Sequence, residues 1–330
     1  MIGRRELLIL GGSAFLRPAA ALAQQAERIR RIAALMPTSE SDSEAPGLGA
    51  AFRQALQNFG WTAGKNLRVD YRWGAGDANR IAAYAAQIVA DQPEVILAGG
   101  APALVPLKRA TDTIPIVFIA ASDPVAQGFV SNLAHPGGNI TGFTNFAPTM
   151  GADWLRLVKE VAPGVNHVGV LYNPKTAPYT QSFLAAAQAA AGPLGIKVSA
   201  APVGDDAEIA TTITAIGRTP GGGLLVPSDA FTYTHSFNIV DQAARNRLPA
   251  ICAFRIFAAS GGLISYGVDL VQQIKQAAAY VDRILFGTNP GDLPVQAPGK
   301  LRLVINRKTA AALGLAIPPT LLARADEVIE

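Results

Sequence analysis

Sulfur is scarce in this chain: its 330 residues hold one cysteine, Cys252, and three methionines. A single cysteine excludes an intrachain disulfide. Its setting in the apolar run Pro-Ala-Ile-Cys-Ala-Phe, residues 249–254, reads as a buried packing residue rather than a nucleophile. The three histidines, His135, His167 and His235, are far apart and show no HExxH or other tight metal spacing. No GxSxG marks a hydrolase elbow and no GxxxxGKS/T marks a phosphate loop. Gly47-Leu48-Gly49 lacks the later glycines of a dinucleotide fingerprint. Charge is also sparse, at 16% of residues with a formal net of +4. No basic cluster interleaves with aromatics, so nucleic acid is not an expected partner, and neither a metal nor an organic cofactor is expected.

What is present is apolar residue, half of the chain, with 32 glycines and 23 prolines spread through it. That suits substantial cores joined by many short loops. The first 23 residues differ from the rest. Arg4-Arg5 forms a basic start, residues 7–16 are mostly apolar, and Ala21-Leu22-Ala23 is a small-x-small site before Gln24. This is the layout of a secretory signal peptide cleaved near Ala23, with an apolar stretch too short for a membrane span. The bland alternative is an amphipathic or disordered extension. Arg4-Arg5 is compatible with twin-arginine export and Glu6 fits it loosely, so both export routes stay open. Removing residues 1–23 leaves 25 basic against 23 acidic side chains. The expectation is a soluble, monomeric protein exported to the periplasm.

Past that segment, short apolar runs alternate with helical spacing. Strands are expected near residues 29–36, 67–71, 95–97 and 114–119, with helices between them at 48–59, from a cap at Asp77 or Asn79 through Ile88, and from the Gly99–Pro102 turn to about Ala110. Repeated strand–helix alternation argues for a parallel sheet covered on both faces. Ligands of open α/β sheets sit beyond the strands' carboxyl ends. That edge carries Gly100 and Ala101 after the third strand and Ser122 and Asp123 after the fourth. Two consecutive glycines before a helix leave amide donors uncovered for a small anionic group, although an ordinary turn explains them equally well.

The pattern then repeats. Strands are expected at His167–Tyr172, 197–201, 223–226, 249–254 and 261–267. Their carboxyl ends present Asn173, Asp229 and Phe254 as the opposite wall of a cleft, with Phe231 and Tyr233 as further aromatic surface. Asp269 follows the last of these strands and can cap the helix after it. For each of these residues a turn, cap or core role competes with ligand contact.

Several segments resemble the bacterial ABC-transporter substrate-binding protein family, which includes proteins that bind tryptophan and related aromatic amino acids. They are IPIVF with SDPVAQGFVSNLAHPGGNITGF (114–143), GGLISYGVD (261–269), AYVDRILFGTNPGDLPVQ (279–296) and LVINRKTAAALGLAIPPTLLARADEVIE (303–330). The resemblance implies an α/β, type I periplasmic-binding fold of two lobes, each a mostly parallel sheet flanked by helices, joined by a three-segment hinge. It implies lobe 1 from 28–142 plus about 263–295, and lobe 2 from 143–262 plus about 296–330. It also implies an inner-membrane ABC permease as partner. The family's usual Tyr-Arg-Arg run appears here as Gln272-Gln273-Ile274-Lys275, and its Glu-Gln-Pro-Thr-Lys run as residues 295–300. The ligand of relatives therefore does not transfer directly. Reversible capture of an amino acid or small aromatic carboxylate leads, with Gly100, Ala101 and Ser122 as carboxylate donors and Asp123, Asp229 or Asp269 as ammonium acceptors. An exported enzyme and a ligand-presenting sensor are the rival readings.

Overall fold

The structure is a computed structural model and describes residues 29–42 and 44–330. The expected signal segment and its cleavage site lie outside them. In the first lobe β1 (Arg30–Met36), α1 (Ala45–Asn58), β2 (Leu67–Trp73), α2 (Ala78–Ala90), β3 (Val95–Gly99), α3 (Gly100–Ala110), β4 (Ile116–Ala121) and β5 (Ile140–Thr144) follow in order. The five strands are parallel, in the order β2-β1-β3-β4-β5. β3 and β5 are buried at every residue, as a strand covered on both faces must be. Because side chains alternate across a strand, Val95 and Leu97 join Phe52 and Leu56 of α1. Ile96 and Ala98 instead join Ile81 of α2 and Leu104 of α3. Helix α1 starts three residues before the expected position because Pro46 is tolerated in a first turn, where its missing N–H is not needed. Asp77 caps α2 by accepting from the amides of Asn79 and Arg80 at 2.8 and 3.1 Å.

The second lobe runs through α4 (Met150–Val161), β6 (His167–Tyr172), α5 (Thr180–Leu194), β7 (Lys197–Pro202), α6 (Asp206–Gly217) and β8 (Gly222–Val226). It continues through α7 (Ala230–Thr234), α8 (Ser236–Arg245), β9 (Ala250–Cys252), α9 (Arg255–Ala259) and β10 (Ile264–Gly267). The chain then returns to the first lobe as α10 (Leu270–Leu285), whose Ile274, Ala277 and Val281 enter the core beside α1. β11 (Arg302–Asn306), α11 (Arg307–Ala312), α12 (Pro319–Arg324) and β12 (Glu327–Ile329) complete the second lobe. Its sheet order is β12-β11-β10-β9-β8-β6-β7, with β11 antiparallel to β10 and the other pairs parallel.

The return to the first lobe falls at α10 rather than near residue 263, because Ile264 and Ser265 pair with Ile251 and Cys252 of β9. The chain ends in a strand parallel to β11. The chain crosses between lobes three times: after β5, after β10 and before β11. The third crossing lies against the first, since Gln296 donates its amide to the Gly142 carbonyl and accepts from Thr144, both at 2.9 Å. At the second crossing a Cβ on Gly267 would meet the Ala253 carbonyl oxygen at 1.9 Å, so only glycine fits that approach. Among the described residues no helix is long and apolar enough to cross a membrane.

Candidate functional site

The carboxyl ends of both parallel sheets face each other, and side chains from the two lobes meet between them. β4 delivers Ser122, which is buried and donates its hydroxyl to Asn145 Oδ1 at 2.7 Å. Asn145 follows β5 at the first crossing. From the second lobe, Tyr179 donates its hydroxyl to the Ser228 carbonyl at 2.7 Å and also faces the Ser122 hydroxyl. Its ring packs edge-on against Phe146, with centroids 5.1 Å apart. Burial, and secondarily the charge on Asp229, push the Tyr179 phenol well above its ordinary value. The lobes meet again at the mouth. Tyr233 reaches Asp42 Oδ2 at 3.5 Å, and Arg255 Nη1 stands 3.9 Å from Glu44 Oε1. Burial raises the Tyr233 phenol, with Asp42 and Glu44 adding to the shift.

Gly100 opens α3 with φ +70, the left-handed region that glycine adopts without strain, and Ala101 follows it, half-buried. A Cβ at Gly100 would stand 3.4 Å from the Ala120 carbonyl oxygen, so the turn after β3 is held close to β4. The backbone of β4 bulges at this level. Ala120 has φ +54 and Asp123 has φ +38, both costly for residues with a side chain. Gln273 of α10 stabilises the bulge. Its Oε1 accepts from the Ala120 amide at 3.1 Å and its Nε2 donates to the Thr144 carbonyl at 3.0 Å. One buried side chain thus ties β4 to β5 where the regular ladder is interrupted.

The aspartates expected to receive an ammonium group have other work. Asp229 Oδ2 accepts from the Asn173 amide at 3.0 Å, while Oδ1 accepts from the Thr176 hydroxyl at 2.6 Å and the Phe231 amide at 3.1 Å. Burial raises its carboxyl above the usual range despite these bonds. Asp269 caps α10 through the amides of Val271 and Gln272, and its second oxygen pairs with Arg302 at 3.1 Å. Asp123 accepts from the Ala126 amide within its own turn at 3.2 Å and is half-buried, so part of its carboxylate stays open. Asn173 is buried and spends Oδ1 on the amides of Lys175 and Thr176. Phe254 is buried behind Tyr233, edge-to-face at 5.2 Å, and forms backing rather than open stacking surface.

The structure therefore brings Ser122, Asn173 and Asp229 into one polar cluster, and places Gly100 and Ala101 at the same sheet edge. Asp269 instead belongs to the hinge. Sequence reading missed Asn145, Tyr179, Gln273 and the Glu44–Arg255 pair. The one available signal was position: Asn145 directly follows a strand at the expected crossing. Cys252 is buried in the second lobe with its thiol pushed up by burial, and it lines an apolar cavity of about 80 Å³ with Val240, Leu263 and Leu313. Among the described residues no group of three or more His, Cys, Asp or Glu side chains is placed to hold a metal ion.

A family profile described as ABC transporter substrate binding protein matches residues 44–329. A conserved domain protein of Vibrio cholerae, known as a crystal structure, is 31% identical with a TM-score of 0.80, covering 91% of this chain and 100% of its own. A domain from Streptococcus pneumonia solved in complex with L-Trp is 26% identical with a TM-score of 0.82, at 91% and 100% coverage. A tyrosine-binding protein of Clostridioides difficile is 28% identical over 277 residues, 82% of this chain and 79% of that protein.

Proposed function

We propose, from the premise that this chain belongs to the ABC transporter substrate-binding protein family, that it captures an aromatic or other small amino acid, or a small aromatic carboxylate, in the periplasm and presents it to an inner-membrane permease. Membership makes it a solute-binding protein of the type I periplasmic-binding fold rather than an enzyme. The observation that carries the ligand reading is the buried polar cluster between the lobes, where Ser122 of one lobe faces Tyr179 of the other. A ligand held there contacts both sheet edges at once, so its binding energy favours the state in which the lobes are together. The relatives that bind L-Trp and tyrosine support an amino-acid cargo. A neutral donor such as the Asn145 amide suits a carboxylate, and Tyr179 and Phe146 supply aromatic surface beside it.

The test is titration calorimetry of the ligand-stripped mature protein against amino acids, aromatic acids and short peptides. Saturable one-to-one binding of one class, with the ligand recovered unchanged, is the expected result. Conversion of the ligand, or no binding across the panel, rejects the reading.

A further inference from the structure

The cluster between the lobes leaves two side-chain amide donors unspent. Asn145 is 2% exposed, and its Oδ1 is occupied by the Ser122 hydroxyl at 2.7 Å. No side chain or carbonyl among the described residues accepts from its Nδ2. Asn173 repeats the arrangement on the facing wall, with its oxygen turned to backbone amides and its Nδ2 unspent. Among the described residues the wholly enclosed side-chain atoms without a partner are Arg30 Nε, Trp154 Nε1 and Thr180 Oγ1, so neither amide nitrogen is sealed in packed protein. Both open onto accessible space. Asp229, whose carboxylate holds the Asn173 backbone amide, already accepts three bonds. With no protein acceptor, each NH2 group is left to water or to a ligand, and an acceptor-only ligand group that displaces the water takes up the same donor.

We propose that Asn145 is the residue that selects for a carboxylate on the ligand, donating through Nδ2, and that Ser122 is its positioning residue. This rests on the reading of the cleft as an amino-acid or aromatic-acid site. It alters the role expected of Ser122: the hydroxyl proton is given to Asn145 Oδ1, which fixes the amide with its NH2 group outward. The selecting donor then sits on the first crossing between lobes, so a carboxylate bound there touches the segment that connects them.

The test is calorimetry with L-tryptophan and L-tyrosine and with their carboxamides, on wild type, Asn145→Asp, Asn145→Ser and Ser122→Ala. Asn145→Asp preserves shape and the acceptor for Ser122 but replaces the NH2 group with an oxygen that repels a carboxylate. Its affinity for the acids is expected to fall about 100-fold while that for the carboxamides changes little. Ser122→Ala is expected to lose about 5-fold, again on the acids alone. A folded Asn145→Asp that binds the acids as wild type does, or that loses acids and carboxamides equally, overturns the proposal. If Asn145→Asp does not fold, Asn145→Ser decides: an unchanged ratio of acid to carboxamide affinity overturns it. Should wild type bind neither acid, the same variants are read with the acid that the wider panel identifies and its carboxamide; failure to bind any acid of that panel overturns the cargo reading, and this inference with it. Intact wild-type binding with unselective variants overturns the inference alone.

Discussion

Arg255 of the second lobe directs Nη1 toward Glu44 of the first, 3.9 Å away across the mouth of the cleft. Arg255 is itself held by Glu327 at 2.6 and 2.8 Å, and Glu327 also binds Arg302, which binds Asp269 at the second crossing. The cross-lobe member of this chain of charges is the weakest. Burial raises the Glu44 carboxyl, Arg255 and Arg302 only partly oppose it, and Asp42 and Asp269 add to it. A carboxyl with a raised value in the folded state is best tolerated at low pH, and its contribution is lost as pH rises through that value. Glu44→Gln is therefore expected to raise the melting temperature slightly at neutral pH and to flatten its dependence above pH 4.5, the ordinary value. Melting curves across that range check the sign. A lower melting temperature at neutral pH would show that the pair outweighs burial.

Asp229→Asn separates organising from ligand-binding roles. The change removes one of two acceptor oxygens and sets an NH2 group against the Asn173 amide or the Thr176 hydroxyl. The expected cost is about 2–3 kcal/mol by urea denaturation. Because the loss acts through the 173–176 loop, affinity should fall equally for an amino acid and for its analogue lacking the amino group. A loss confined to the amino acid would make Asp229 a direct ammonium acceptor.

Gln273→Ala leaves the Ala120 amide and the Thr144 carbonyl without their partner. The expected cost is about 2–4 kcal/mol, together with faster hydrogen exchange at the Ala120 amide. Unchanged exchange there would mean that the bulge is held by other contacts.

Gly267→Ala forces a methyl group to within 1.9 Å of the Ala253 carbonyl oxygen, backbone against backbone. No rotamer relieves that contact, so β9 and β10 must separate. A loss above about 3 kcal/mol, or insoluble protein, is expected on expression and melting.

Much of the fold is legible in the sequence because two periods report it. Apolar runs such as 95–97 and 223–226 read as buried strands and fall within β3 and β8, and of the two candidate caps, Asp77 and Asn79, it is Asp77 that starts α2. The site is less legible for a physical reason. Asp229 and Asp269 stand where ammonium acceptors were expected, but amides only two or three residues onward satisfy the same oxygens. Sequence alone does not show which partner wins. Ser122 was identified, yet its partner Asn145 is 23 residues away, just past the neighbouring strand, and Tyr179 arrives from the other lobe. Gln273 was noted only as a departure from the family's usual run, and its contacts lie 153 and 129 residues away.

Helix α10 carries an implication for how the molecule comes to be. The first lobe's five strands are complete by Thr144, but one face of that sheet is covered by Ile274, Ala277, Val281 and Ile284. Helix α1 covers part of that face early, but a chain growing from its N-terminus leaves the rest exposed until the intervening second-lobe strands have emerged. The second lobe in turn lacks β11 and β12 until the last thirty or so residues. Neither half can finish alone, and each waits on sequence that lies beyond the other. The interlaced connectivity that aligns the cleft thereby ties completion of both lobes to the arrival of the last strands.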